Sequence, residues 1–273
     1  MKRNVFFTIL CLAALVCLLL DSQLRIVVSE YTIESDKLPE TFDGFRIVQL
    51  SDLHGAEFGR ENRRLIRAIQ AQKPDMIAVT GDLVDESSGA ETMTELMGTL
   101  SSHALCCYVT GNHEWAAGNA GGLKNALRSR DVWVLDNRCQ LLTRDGEHIL
   151  LGGVDDPNGP ADMVSPPALV NAARQEHAED FFLLLGHRND WVEKYPALDV
   201  DLLLCGHGHG GLVRLPWVGG LFGSERTVFP EHTAGVFSAD SYDMVVSRGL
   251  GNSPGTLRLF NNPEIVVIHL KKI

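Results

Sequence analysis

The segment FRIVQLSDLHG, residues 45–55, joins an apolar run to a pair of side chains that can bind metal. Its first half, residues 45–50, is apolar enough to form a buried strand. Asp52 and His54 follow at once, and residues two positions apart in an extended segment point to the same side. The segment therefore predicts a buried strand with two candidate ligands at its end.

Four later segments repeat this arrangement of an apolar run followed by polar residues. Their polar ends are Gly81-Asp82, Gly111-Asn112-His113-Glu114, Gly186-His187 and Gly206-His207-Gly208-His209. Amphipathic stretches such as residues 62–70 separate several of these runs. Strands that alternate with helices of this length indicate βαβ units and a parallel-rich sheet, covered by helices on two faces.

The polar ends supply more ligands than one metal ion needs. Ligands gather at the carboxyl ends of parallel strands, so these side chains are expected at one sheet edge. The candidates are Asp52, His54, Asp82, Asn112, His187, His207 and His209. Carboxylates, an amide and imidazoles together favour Mn, Fe or Zn over Ca or Mg. Seven ligands suit two ions that share a carboxylate, and two ions about 3.5 to 4 Å apart can hold a hydroxide between them for attack on phosphorus.

In this order, the motifs resemble those of the calcineurin-like metallophosphoesterases, particularly their bacterial membrane-anchored branch. The pattern Asp-x-His, Gly-Asp, Gly-Asn-His-Asp/Glu, Gly-His and Gly-His-x-His is complete between residues 52 and 209, and the similarity covers residues 40–273. The resemblance implies an α/β fold, a four-layer α/β/β/α sandwich, and a metal-dependent phosphoric ester hydrolase. It also implies two divalent metal ions, with Mn preferred over Fe or Zn.

The resemblance further implies a role for each motif residue. The first metal would be held by Asp52, His54 and His209, the second by Asn112, His187 and His207, and Asp82 would bridge both. His113 would stabilise the phosphate or protonate the leaving oxygen. Glu114, where the family often has Asp, would orient the imidazole of His113.

The N-terminal region predicts a membrane anchor. Residues 4–20 carry no charge and would span roughly 25 Å as a helix, against about 30 Å for a hydrocarbon core. We predict an anchor or uncleaved signal over residues 1–22, a juxtamembrane segment over 23–43 and the phosphoesterase domain over 44–273. Because Lys2 and Arg3 flank the run, the chain is predicted to cross the cell membrane once, with its catalytic domain on the extracytoplasmic side.

Charge and surface composition limit the partners. With 24 Lys+Arg against 35 Asp+Glu, the net charge of -11 argues against nucleic-acid binding. Residues 215–223, which contain Trp217, Leu221 and Phe222, either fold onto the core or contact the bilayer or an acyl chain. The arginines at positions 60, 63, 64 and 67 form either a solvated helix face or a contact with anionic lipid.

We predict hydrolysis of a phosphodiester of a lipid or cell-envelope substrate by a hydroxide that bridges the metals. Two alternatives stay open. One is a phosphomonoesterase, either a nucleotidase or a phosphoprotein phosphatase, and the other is a non-catalytic metal-binding membrane sensor. The sequence predicts no oligomeric state.

Overall fold

A computed structural model of the chain describes residues 2–85, 89–223, 227–253 and 255–273. The helices in these ranges are α1 (Lys2–Leu24), α2 (Arg63–Ala71), α3 (Ala90–Ser101), α4 (Asn112–Ala116), α5 (Ala120–Arg128), α6 (Pro166–Glu176) and α7 (Trp191–Lys194). The strands are β1 (Val27–Ser35), β2 (Arg46–Leu50), β3 (Met76–Thr80), β4 (Leu105–Val109), β5 (Val132–Val134), β6 (Arg138–Arg144), β7 (Glu147–Gly153), β8 (Phe182–Leu185), β9 (Leu202–Cys205), β10 (Arg214–Leu215), β11 (Gly219–Gly220), β12 (Gly235–Ser238), β13 (Asp243–Val246) and β14 (Glu264–Lys272).

The described strands form two six-stranded sheets and a small β10-β11 hairpin. The first sheet has the order β1-β14-β2-β3-β4-β5, in which β2 to β5 are parallel and β14 is antiparallel to β2. The second has the order β12-β13-β9-β8-β7-β6, with a parallel centre and an antiparallel strand at each edge. Both sheets therefore contain the parallel core that the βαβ pattern predicted.

Three apolar clusters separate the layers of the fold. The first lies between the sheets and takes side chains from both, such as Ile47 and Leu183. The second packs α2 and α3 on the outer face of the first sheet, and the third packs α6 and α7 on the outer face of the second. Helices thus cover both outer faces, and the predicted four-layer α/β/β/α sandwich is confirmed.

Strand β1 is an element that the sequence analysis did not predict. It lies within the predicted juxtamembrane segment, residues 23–43, and pairs in parallel with β14 from Val27↔Glu264 to Ser35↔Lys272. Only one of its residues, Ile33, is fully buried, at 4% exposure. An edge strand with so little buried surface gives a weak alternation next to the long apolar run of α1. The division of the chain at residues 22 and 43 stays a prediction.

Helix α1 stands apart from the sandwich along most of its length. Asn4–Leu24 is long and apolar enough to cross a membrane, by length and composition, and a signal sequence would meet the same criterion. Most of its apolar side chains are exposed, whereas Ser22 near its end is buried. The helix is therefore a candidate anchor whose last turn alone contacts the folded domain.

Candidate metal centre

The polar segments follow β2, β3, β4, β8 and β9, which end at the same edge of the sandwich. In the first sheet β2, β3 and β4 are parallel neighbours, and in the second β8 and β9 are. Asp52 and Asp82 are 0% and 1% exposed, so two carboxylates are buried at this edge. The structure brings together all seven side chains that the sequence proposed as ligands, in two groups.

The first group contains Asp52, His54, Asp82 and His209, with one ligand atom of each lying within 4.8 Å of the others. Nε2 of His54 lies 3.1 Å from Nε2 of His209. The same His209 nitrogen lies 3.5 Å from Oδ1 of Asp52. Two imidazoles and two carboxylates thus point at one small space.

The second group contains Asp82, His187 and His207, joined by Asn112. Nε2 of His187 lies 3.2 Å from Oδ2 of Asp82 and 3.1 Å from Oδ1 of Asn112. Nδ1 of His207 lies 3.2 Å from the same His187 nitrogen. Asp82 belongs to both groups, which is the position that a bridging carboxylate requires.

The separations between donor atoms fit bound divalent ions. Ligands about 2.0–2.1 Å from a metal ion are themselves about 2.8–3.4 Å apart at octahedral or tetrahedral angles, a range that includes the nitrogen separations here. Nδ1 of His187 lies 2.8 Å from the carbonyl oxygen of Thr80, a contact that leaves Nε2 free to bind metal. The donor set therefore suits two transition-metal ions.

The backbone of the site is unusual. Left-handed φ angles occur at five of the ligand residues, namely Asp52 (51°), His54 (48°), Asp82 (49°), His207 (64°) and His209 (44°). Such angles disfavour residues with a side chain, and they cluster where function requires them. Gly81 has φ +89°, and a Cβ there would lie 2.6 Å from N of Gly111 and from Nδ1 of His187. Only glycine fits that position.

Burial sets the protonation of most of the imidazoles. Burial, followed by the charge of His209, lowers the pKa of His54 to about 4. Burial, followed by the charge of Arg258, lowers the pKa of His209 to about 3. Burial also holds the pKa of His207 well below its usual value, with His187 and Arg188 adding to the effect. These imidazoles are neutral at pH 7, the form that binds metal.

His187 behaves differently because it faces Asp82. Burial alone would lower the pKa of His187, but the charge and hydrogen bond of Asp82 outweigh it and raise that pKa to about 10. The pKa of Asp82 is held below its usual value by His187 and His54, against the effect of burial. In the metal-free protein the pair is therefore an ion pair.

His113 lies beside the first ligand group. Its ring packs edge-on against that of His54, with the centroids 4.6 Å apart. Nδ1 of His113 lies 2.9 Å from Oδ1 of Asp85. Sequence reasoning missed Asp85, although a carboxylate three residues after Asp82 in the same loop was a visible signal.

The predicted role of Glu114 is wrong. Its carboxylate accepts hydrogen bonds from N–H groups of Asp82 (3.0 Å), Val84 (3.1 Å) and Gly111 (2.6 Å), while the imidazole of His113 contacts Asp85. Glu114 occupies the third position of α4, from which a side chain reaches back to the N–H group at the helix start. Burial, followed by the charge of Asp82, raises the pKa of Glu114 to about 7.

Two arginines that were not predicted as site residues contact candidate ligand residues. Arg188 binds the carboxylate of Asp156 through Nε at 2.6 Å and Nη2 at 3.1 Å, and its Nη1 lies 3.1 Å from Nε2 of His207. Arg258, which is 0% exposed, places Nη2 3.5 Å from Nδ1 of His209. Arg258 is 49 positions from His209, so no local motif could have indicated it.

A cavity of about 600 Å³ opens above the ligand groups. Asp82, Asn112 and His113 are among the residues on its polar side. The remaining wall includes the apolar side chains Leu212, Phe222 and Val228, together with Ser253 and Thr256. The cavity therefore has both a polar and an apolar part beside the candidate ligands.

Comparisons with known proteins agree with this geometry. A family model described as calcineurin-like phosphoesterase matches residues 45–211. The uncharacterized metallophosphoesterase YkuE of Bacillus subtilis is 31% identical over 251 residues, which are 89% of this chain and 85% of that protein. The phosphodiesterase YaeI of Escherichia coli is 28% identical over 233 residues, 83% of this chain and 82% of that protein.

Two further comparisons concern the anchor and the fold. The transmembrane protein with metallophosphoesterase domain of Danio rerio is 28% identical over 262 residues, 90% of this chain but 57% of that protein. Among solved structures, the sulfate thiohydrolase SoxB of Thermus thermophilus matches with a TM-score of 0.51 and 15% identity, over 86% of this chain and 57% of that one. At this identity the match shows the fold alone.

Proposed function

Because this chain belongs to the calcineurin-like phosphoesterase family, and is therefore a phosphoric ester hydrolase, we propose that it cleaves phosphodiesters at the two ligand groups. The observation that carries the proposal is that these groups share Asp82 and lie next to His113 in one cavity. A binding module or sensor has no need of a proton donor beside its metals, so this arrangement favours catalysis.

We assign Asp52, His54 and His209 to the first ion, Asn112, His187 and His207 to the second, and Asp82 to both. Manganese is the proposed metal, and iron or zinc would suit the same donors. When bound, the two ions supply positive charge for the phosphoryl oxygens and a hydroxide nucleophile at neutral pH.

The chain's own residues position the substrate and move the proton. His113 stands where it can give a proton to the leaving oxygen, while Asp85 holds Nδ1 and leaves Nε2 for that transfer. Glu114 is a positioning residue, since it fixes the loop that carries Asp82. The roles proposed for His113 and Glu114 rest on the contact between His113 and Asp85 and on the hydrogen bonds that Glu114 accepts, all at 3.1 Å or less.

The preference for a diester rests on two observations. A diester has a second substituent on phosphorus, and the cavity has room for it along Leu212 and Phe222. The related protein of Escherichia coli is named a phosphodiesterase. We propose a diester of a lipid or cell-envelope precursor, with the chain anchored through α1 as a single-pass protein and its domain on the extracytoplasmic side.

The test uses the full chain in detergent, stripped of metal and reloaded with Mn. It is assayed on bis(p-nitrophenyl) phosphate and on p-nitrophenyl phosphate. We expect the diester to be cleaved faster and Asp82→Asn to lose this activity. Asp145→Asn is the matched control, because Asp145 has the same φ of 49° as Asp82 but lies exposed in a turn. Faster cleavage of the monoester would overturn the diester proposal.

A further inference from the structure

We propose that apolar residues near the cavity mouth form a surface that inserts into a lipid bilayer beside the end of α1. This membrane-facing surface consists of Leu215, Trp217, Val218, Phe229, Leu257 and Phe260. The proposal rests on the proposed function, since it takes α1 as the anchor and names the bilayer as the source of the diester. The membrane-facing surface would contact the same bilayer that α1 crosses.

The end of α1 is fixed to the segment 252–262. The N–H of Phe260 donates to Oγ of Ser22 at 2.9 Å, and Nε2 of Gln23 donates to the carbonyl oxygen of Arg258 at 2.6 Å. Nδ2 of Asn262 donates to the carbonyl oxygen of Asp21 at 2.7 Å. These contacts hold the segment directly at the point where a membrane-spanning α1 leaves the bilayer.

The same segment is joined to the loop that carries Trp217. The N–H of Arg214 donates to the carbonyl oxygen of Leu259 at 3.0 Å, and the N–H of Leu259 donates to that of Leu212 at 3.2 Å. The end of α1, residues 257–260 and the loop after Leu212 are therefore connected in space. A bilayer that surrounds α1 lies next to both the segment and the loop.

The side chains on this surface are exposed to a degree that is unusual for their type. Trp217 is 103% exposed, Leu257 65% and Phe229 63%. Of the two interpretations of residues 215–223, folding onto the core is therefore wrong for Trp217. Contiguous exposed apolar groups mark interaction surfaces, and tryptophan favours the membrane interface.

Basic residues approach the end of α1 from another side. Nη2 of Arg64 donates to the carbonyl oxygen of Leu24 at 3.0 Å. The side chains of Arg60 and Arg63 nearby are 84% and 60% exposed, and both contact Glu61, which leaves a net positive charge. Positive charge at the membrane surface attracts anionic lipid headgroups. The arginines near the end of α1 therefore also favour contact with the bilayer.

The surface continues into the cavity wall. Phe222 and Val228 line the cavity, and each lies within a few residues of an exposed member of the surface. An apolar chain can therefore remain in contact with apolar side chains from the bilayer to the ligand groups. We infer that the substrate is an amphipathic diester whose phosphate enters the cavity while its apolar chain stays against this wall.

The test uses tryptophan fluorescence of the full chain in nanodiscs of phosphatidylcholine and phosphatidylglycerol. The chain has four tryptophans, at positions 115, 133, 191 and 217, and α1 contains none of them. We expect lipids with brominated acyl chains to quench part of the emission, Trp217→Phe to abolish most of this quenching, and Trp133→Phe to preserve it. No quenching of the full chain, or quenching that Trp217→Phe leaves unchanged, would overturn the proposal.

A second measurement separates this proposal from the proposed function. Trp217 is not among the described residues that line the cavity. The Trp217→Asp variant should therefore cleave soluble bis(p-nitrophenyl) phosphate at the same rate as the unmodified chain. Its cleavage of a phosphodiester lipid held in the nanodisc should fall at least several-fold. Quenching at Trp217 without cleavage of any diester would refute the function and support the surface. Diester cleavage without quenching would support the proposed function and refute the membrane-facing surface.

Discussion

Asp82 connects more of the site than any other single residue described above. Its carboxylate contacts both ligand groups and accepts a hydrogen bond from N of His113 at 2.9 Å, while its own N–H is held by Glu114. Because the same aspartate is the proposed bridge between the metals and also holds the backbone of His113, the distance between the proposed nucleophile and proton donor should depend on it. A one-atom change at this position should therefore disturb binding and proton transfer together.

His113 is predicted to act in catalysis without binding metal. We expect His113→Ala to lower kcat by about 10²- to 10⁴-fold, the usual contribution of a general acid. Metal analysis of the same sample should still give two ions per chain. Loss of metal in this variant would show that the imidazole is a ligand instead.

Asp85 is predicted to act through His113. We expect Asp85→Asn to lower kcat less than His113→Ala does, because the imidazole remains but is less well oriented. The double variant should be no slower than His113→Ala alone, since residues that act as a unit are not additive. If the two losses multiplied instead, Asp85 would have a separate role.

The ion pair between His187 and Asp82 predicts a pH dependence of metal binding. With a pKa raised to about 10, His187 is protonated below that pH in the metal-free protein and must lose the proton to bind an ion. We expect the affinity for the second ion to fall about tenfold for each pH unit below 10. Calorimetry in buffers of different ionisation enthalpy measures the released proton, and His187→Gln should release about one fewer at pH 8.

The convergence of the seven candidate ligands at one edge could be predicted from the sequence because they lie in short polar segments that follow apolar runs. The residues that support them could not. Arg258 reaches His209 only after the chain has folded, and the left-handed φ of His54 leaves no trace in its residue type. The role of Glu114 was predicted wrongly because a motif gives the residue but not the direction of its side chain.

At the scale of elements, buried strands were the most predictable. The predicted strand at residues 45–50 corresponds to β2, in which four of the five residues are buried. Strand β1 was missed because a half-buried edge strand gives only a weak alternation of apolar and polar residues. A strand that is buried on both faces is therefore easier to predict from its apolar residues than one that is buried on a single face.

Strand β1 should contribute to stability although it lies next to the anchor. Ile33 is 4% exposed and packs between the sheets, so Ile33→Ala should lower the free energy of unfolding by about 2 to 5 kcal/mol. Val28 on the same strand is 39% exposed, and Val28→Ala should cost only about 0.5 kcal/mol. The free energy of unfolding of both variants is measured by urea unfolding. If Ile33→Ala lowered it as little as Val28→Ala does, β1 would not be part of the folded core.

At the scale of the whole molecule, the positive residues Lys2 and Arg3 at the start of α1 predict its orientation. Alkaline phosphatase fused after Ile273 should be active, because the domain is expected outside the cytoplasm. A β-galactosidase fusion at the same position should be inactive. Activity of the second reporter and not the first would reverse the topology and place the phosphoesterase domain in the cytoplasm.

The position of β14 in its sheet has a consequence for biosynthesis. It lies between β1 and β2, although it follows every other described strand in the chain. While the polypeptide is being synthesised, β1 and β2 therefore have no partner between them until residue 272 has left the ribosome. The nascent chain must carry the first two proposed ligand residues, Asp52 and His54, on an unfinished sheet, and we expect metal capture to begin only after translation has passed this strand.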